Sequence, residues 1–135
     1  MYHNILVPIV FDEDHDITGP LKLAKLLSTL DAKVTLLHVV EHVPGYAISY
    51  IPADFLHETR IAIQSELDKL ASGFDNAEGV VIEGHSGRSI LDWAEANGPD
   101  LIIMASHRPG MQDLLLGSTA AQVVRHAKCA VHVVR

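Results

Sequence analysis

An open α/β sheet with helices on both faces is the fold class this sequence predicts, and two observations predict it. Short runs rich in Val, Ile and Leu alternate along the chain with longer segments whose apolar residues recur at helical spacing. Most of the short runs are nearly continuous in apolar character, as expected of strands buried on both faces of a parallel sheet. The order reads β-α-β-α-β-α-β-α-β, and the segments between strands are long enough for right-handed parallel crossovers. That is the pattern of a doubly wound sheet.

The strands are expected at Asn4 to Val10, Lys33 to Val40, Gly79 to Glu83, Asp100 to Ala105 and Ala130 to Val134. The first helix is expected from Ile17 to Leu30, where Leu21, Leu23, Ala24, Leu26, Leu27 and Leu30 form one broad stripe. Thr18, ahead of Gly19 and Pro20, fits the N-cap position. A second helix runs from Ala53 or Asp54 to Ala71, with Leu56, Ile63, Leu67 and Leu70 on one face and Gly73 as its stop. A third spans Ser89 to Ala96 and ends at the breaker Asn97-Gly98-Pro99; a fourth begins near Ser118 and carries Ala120, Ala121, Val123 and Val124. Glu41 to Pro52 is the exception, a long connection containing Tyr46 and Tyr50, and loops of this length are often lids or interaction surfaces. No repeat or linker interrupts the chain, so residues 1–135 are expected to form a single domain.

Composition narrows the function. Ten Lys and Arg against 17 Asp and Glu leave a net charge of −7, which repels nucleic-acid backbones and anionic lipid headgroups. Neither nucleic acid nor membrane is an expected partner. The single cysteine, Cys129, has no internal disulfide partner, and the paired spacings of a structural zinc site are absent. No apolar run approaches the roughly 18 residues of a spanning helix, and a cytoplasmic location is the expectation. Nine histidines are scattered over nearly every element rather than spaced as metal ligands, so no metal site is expected.

Ligands of doubly wound sheets bind outside the carboxyl ends of the strands, where the strand order reverses. The tips to inspect are Pro8 to Asp12, Val39 to His42 and Ala105 to Thr119. The last is the chemically densest stretch: Ser106, His107 and Arg108 follow a strand, and Gly117, Ser118 and Thr119 open a helix. Gly117 permits close backbone approach, and the two hydroxyls stand beside the N–H groups and positive dipole of the helix start. Together they describe a phosphate cradle. The plainer alternative makes Gly117 a turn and Ser118 an N-cap.

Five collinear pieces, NILVP at 4–8, LLHVV at 36–40, DLIIMASHR at 100–108, LLLGST at 114–119 and VVRHAKCAVHVV at 123–134, resemble a universal stress protein across essentially the whole chain. The resemblance implies an adenine nucleotide α-hydrolase-like, Rossmann-like sheet in the order 3-2-1-4-5. It also implies a homodimer formed through the last strand, Ala130 to Val134, and a stress-response role in which many members bind ATP and others do not. Pairing across a two-fold axis would protect the apolar edge that this strand otherwise exposes.

The nucleotide-binding members carry the phosphate-loop pattern G-x-x-G-x9-G-[ST], and this chain matches its end with Gly117 and Ser118. Ala105 and Arg108 stand at the two earlier glycine positions, in a loop one residue shorter, a variant ASHRP followed by LLGS that resembles a recurring bacterial subtype. Arg108 either obstructs phosphate or pairs with it directly. At the first strand, Val10 replaces an Asp that serves the adenosine, while Asp12 and Asp14 follow at positions that do not match. Carried over position by position, adenosine rests against Pro8, Ile9, Val10 and the backbone of Val39. The triphosphate, with or without Mg2+, reaches Met104, Ala105, Ser106, His107, Gly117, Ser118 and Thr119.

Two readings follow: a dimeric, ATP-binding sensor or signalling module, and a nucleotide-independent dimer acting through protein partners. No carboxylate is placed to orient His107 against Ser106 or Ser118, so a Ser-His-Asp hydrolase is unsupported and no catalytic residue is assigned. Slow ATP hydrolysis or self-modification would need no such triad. His107 is the one histidine in the phosphate loop, where its positive form would favour an anion.

Overall fold

The computed structural model describes residues 1–11, 17–106 and 116–135. Its centre is a five-stranded, all-parallel sheet in the order β3-β2-β1-β4-β5, built from β1 (Tyr2–Pro8), β2 (Ser28–Val40), β3 (Ala77–Glu83), β4 (Leu101–Ala105) and β5 (Ala130–Val134). Between the strands run α1 (Thr18–Leu27), a short α2 (Gly45–Ile48), α3 (Ala53–Ala71), α4 (Ser86–Asn97) and α5 (Ser118–His126).

The near-continuous apolar strands are explained by two cores. Ile5, Val7, Val34, Leu36, Leu101 and Ile103 face Ala24 of α1 and Leu67 and Ala71 of α3. The alternate residues Leu6, Leu37, Ile102 and Met104 face Ile90 of α4 and Ala120 and Val123 of α5. Each central strand is covered on both sides, which is why alternation is lost from its sequence.

Several boundaries differ from those expected. The first helix ends at Leu27 instead of Leu30, and β2 begins at Ser28 instead of Lys33. Ser28 Oγ donates back to Ala24 O, and Tyr2 pairs with Ser28 before the β1–β2 register shifts at Asn4. Leu26, inside α1, and Leu30, in β2, both face solvent, so the helix's apolar stripe is narrower than its leucine count suggests. Strand pairing with β1 outcompetes one more helical turn there. Ile17, rather than Thr18, occupies the N-cap position of α1.

α4 starts three residues earlier than the sequence suggests, at Ser86. The turn before it depends on Gly84, whose φ of 149° is open to glycine and whose missing Cβ leaves room for Ser89 Oγ. At its far end Gly98 adopts the left-handed conformation, φ 63°, and donates to Ala94 O at 2.8 Å. The expected breaker therefore ends the helix by αL capping. In the long Glu41 to Pro52 connection, α2 leaves Tyr46 and Tyr50 exposed, so they do not pack locally.

What positions a site is the partial pairing of β1 with β4. The two strands stay in register only at Ile5↔Leu101 and Leu6↔Ile102, short of their carboxyl ends. Beyond those pairs the sheet opens at the strand whose neighbours lead in opposite directions along the chain.

Candidate nucleotide cleft

The opening is a cleft of about 590 Å³, within the range of about 300 to 1,000 Å³ usual for small-molecule sites. Its apolar floor is made by Leu37, Ile90, Met104 and Ala120, all buried. Pro8, Ile9 and Val10 line it from the tip of β1, and Val39 and Val40 from β2. Pro8 has no N–H, and the ladder continues only through Ile9, whose N–H donates to Leu37 O at 2.8 Å. Val10 has already left the strand and is exposed.

The opposite side is assembled by the backbone. Ser106, buried, donates its N–H to Val134 O at 2.8 Å and accepts from Gly117 N at 2.7 Å. The second bond ties the end of β4 to the start of α5, although the two residues are far apart in sequence. Gly117 is the N-cap of α5, in extended conformation, and Ser118 is the first helical residue rather than the cap. The first intrahelical donor is Ala121 N, bonded to Gly117 O at 2.9 Å. The N–H groups of Ser118, Thr119 and Ala120 precede it, so none has a helical carbonyl one turn back, and they lie at the positive end of the helix dipole. Ser118 and Thr119 line the cleft at this point.

Ten of the twelve expected site residues line this one cleft: Pro8, Ile9, Val10, Val39, Met104, Ala105, Ser106, Gly117, Ser118 and Thr119. His107 and Arg108 lie outside the described residues, as do Asp12 and Asp14.

Three polar side chains on the cleft were not anticipated. His38 Nδ1 lies 2.8 Å from Ile9 O, and since a carbonyl only accepts, this nitrogen carries the proton. Its ring also packs against Phe11, with centroids 5.7 Å apart. His38 thus steadies the backbone just where β1 ends. Glu41 and Ser86 line the rim, joined by a hydrogen bond from Ser86 Oγ to Glu41 Oε1 at 2.6 Å. Glu41 stands within the inspected tip of the second strand, whereas Ser86 follows β3, whose tip gave no reason for inspection.

Among the described lining residues Glu41 is the only carboxylate, and none is Lys or Arg. No three His, Cys, Asp or Glu side chains among the described residues converge as metal ligands. Cys129 is distant from this cleft, lining a groove between α4 and α5, and burial pushes its thiol pKa up, so it is held as a thiol.

The family model of the universal stress protein family matches residues 1–135. The chain belongs to the universal stress protein family. Universal stress protein A homolog 2 of Coxiella burnetii is 34% identical over 99% of this chain and 95% of its own length. The solved structure of universal stress protein UspA from Lactobacillus plantarum superposes with a TM-score of 0.71 at 25% identity, covering 99% of this chain and 98% of that one. A universal stress protein family protein from Arabidopsis thaliana, solved with AMP bound, shares the fold with a TM-score of 0.63 at 19% identity, covering 98% and 90% of the two chains. This universal stress protein has the same sheet order that the sequence resemblance implies, and none of its described helices is long and apolar enough to cross a membrane.

Proposed function

We propose that this stress protein binds an adenine nucleotide in the cleft between the tips of β1 and β4 and acts as a dimeric sensor or signalling module. The observation that carries the reading is the joining of an apolar slot to a helix start within one cleft. A purine and its sugar need apolar walls and a few polar anchors, which Ile9, Val10, Val39 and Met104 supply with the neighbouring backbone. A phosphate needs donors and positive potential, which the first N–H groups of α5 supply beside Ser118 and Thr119. A fold relative that holds AMP supports the same ligand class.

ATP is the ligand the family pattern favours, and AMP and ADP present the same two chemical ends. Mg2+ characteristically arrives on nucleotide phosphates with several waters retained, so it requires no dedicated cage of carboxylates. The role is binding: the described cleft holds one carboxylate, Glu41, and it is engaged with Ser86. The dimer forms through β5, which pairs with β4 on one side and stands at the sheet edge on the other.

Calorimetry of the purified protein with ATP and with AMP, each with and without Mg2+, tests the ligand. Saturable one-site binding is expected. No heat and no thermal stabilisation at millimolar nucleotide would overturn it and leave a universal stress protein acting through protein partners alone. Light scattering after size exclusion tests the dimer, for which a monomer mass is the contrary result.

A further inference from the structure

The rim opposite α5 has a chemistry of its own. Glu41 directly follows β2 and Ser86 is the first residue of α4, so their hydrogen bond joins two elements that meet only in the folded chain. Ser86 holds Oε1 of the carboxylate, and His85 Nδ1 lies 3.8 Å from Oε2. The neighbouring His42 is paired elsewhere, with Glu83 at 2.9 Å, and does not neutralise Glu41. One hydrogen bond leaves a carboxylate with further acceptor capacity.

This arrangement polarises the cleft. α4 and α5 pack on the same face of the sheet, and both begin at its carboxyl end. The start of α4 already has a negative charge beside it, a favourable place for Glu41 and a poor one for a second anion. The start of α5 has no carboxylate among the described lining residues. A bound anion is drawn to α5, and groups that donate hydrogen bonds are drawn to Glu41. One strand, β1, separates β2 from β4, so at about 4.8 Å per strand their tips are about 10 Å apart, room for a sugar between phosphate and carboxylate. In dinucleotide-binding doubly wound sheets an Asp or Glu accepts from ribose hydroxyls in this manner.

We propose that Glu41, oriented by Ser86, reads the sugar of the bound nucleotide by accepting a hydrogen bond from a ribose hydroxyl. Among the described residues the tip of β1 offers the apolar Val10 side chain, and the acceptor comes from β2, steadied by α4. The same charge disfavours sugars that carry a second phosphate on a ribose hydroxyl. This assignment rests on the nucleotide reading above, and the test separates the two.

The experiment is calorimetry of the full chain with AMP, 2′-deoxy-AMP and 3′-deoxy-AMP, on the wild type and on Glu41→Ala and Ser86→Ala. The wild type is expected to prefer AMP over at least one deoxy analogue by about tenfold. Glu41→Ala should weaken AMP by about tenfold while leaving that analogue unchanged, so that the preference disappears. Ser86→Ala, through loss of positioning, should shrink the preference by a few-fold with no change for the analogue. Glu41 is mostly exposed, and a thermal melt checks that each variant is folded. Equal weakening of AMP and both analogues, or no change in any, overturns the assignment while the nucleotide reading stands. Absence of AMP binding by the wild type overturns the nucleotide reading, and the assignment falls with it.

Discussion

The two ends of the parallel sheet use similar polar groups for opposite purposes. At the amino end the chain satisfies its own donors. Asp100 accepts from His3 N at 2.9 Å through Oδ2 and from Asn4 N at 3.0 Å through Oδ1. Its own N–H donates to Asn4 O at 2.9 Å, while Asn4 Nδ2 donates to Asn97 O and Gly98 O, each at 3.2 Å. One carboxylate and one amide thereby lock the start of β1 to the end of α4 and the entry into β4.

At the carboxyl end β1 and β4 part company, and among the described residues the donors at the start of α5 border a cleft and no carboxylate closes them. On the proposed function, the contrast separates stability from binding. Backbone donors at the amino end are closed internally, whereas those at the start of α5 stand where the proposed nucleotide would enter.

The largest test of that separation places a carboxylate where the comparison says none belongs. Ser118→Asp should weaken nucleotide binding by about ten- to a hundredfold through repulsion of the phosphate. The same change should raise stability by about 0.3 to 1 kcal/mol, because an acid in the first turn suits the helix dipole. Calorimetry and denaturant melts read the two effects, and loss of both affinity and stability would show that Ser118 is structural only.

Asp100→Ala attacks the other end. It should cost about 0.5 to 1.5 kcal/mol of stability by removing the acceptor of the exposed His3 and part-buried Asn4 donors, with nucleotide affinity unchanged. A parallel loss of affinity would break the separation between the two ends. The same carboxyl predicts an acid dependence. Burial acts to raise its pKa, but the backbone N–H groups of His3 and Asn4, with the nearby His3 charge, outweigh it and hold the pKa below the ordinary 3.8. The folded state therefore favours the charged form. The stability from this group is present above the ordinary value and is lost as pH falls through the lower folded one. Melts of the wild type and Asp100→Asn across that acid range should converge as pH falls.

The smallest effect is expected at Thr35, which belongs to neither end. It is fully buried in the middle of β2, and its hydroxyl has no hydrogen-bond partner among the described residues. Thr35→Val removes that stranded group and should leave stability unchanged or raise it by up to about 1 kcal/mol. A clear loss in a thermal melt would reveal a partner for the hydroxyl.

Much of the fold was legible because burial leaves a local mark. Strands covered on both faces must be apolar at successive positions, and Ile5 to Val7 or Leu101 to Met104 announce that directly. The end of α1 was not legible. Leu30 continues a helical stripe in sequence, but the chain has already entered β2 at Ser28, where it pairs with Tyr2, and Leu30 faces solvent. In the cleft, Pro8 to Val10 and Gly117 to Thr119 were readable from strand tips and a helix start. Ser86 was not, because its relevance comes from a bond to Glu41 across 45 positions of chain.

The sequence by itself determined which apolar segments form the centre of the sheet, that its strands run parallel with helices on both faces, and which strand tips to inspect for a ligand. These follow from hydrophobic periodicity and from the polarity of helix ends, properties carried by neighbouring residues. The tertiary structure decided how far β1 and β4 stay paired, which N–H groups are closed by Asp100, and that Glu41 and Ser86 share the rim of the cleft. Those are matters of register and of contacts between distant segments, which no local pattern specifies until the chain is packed.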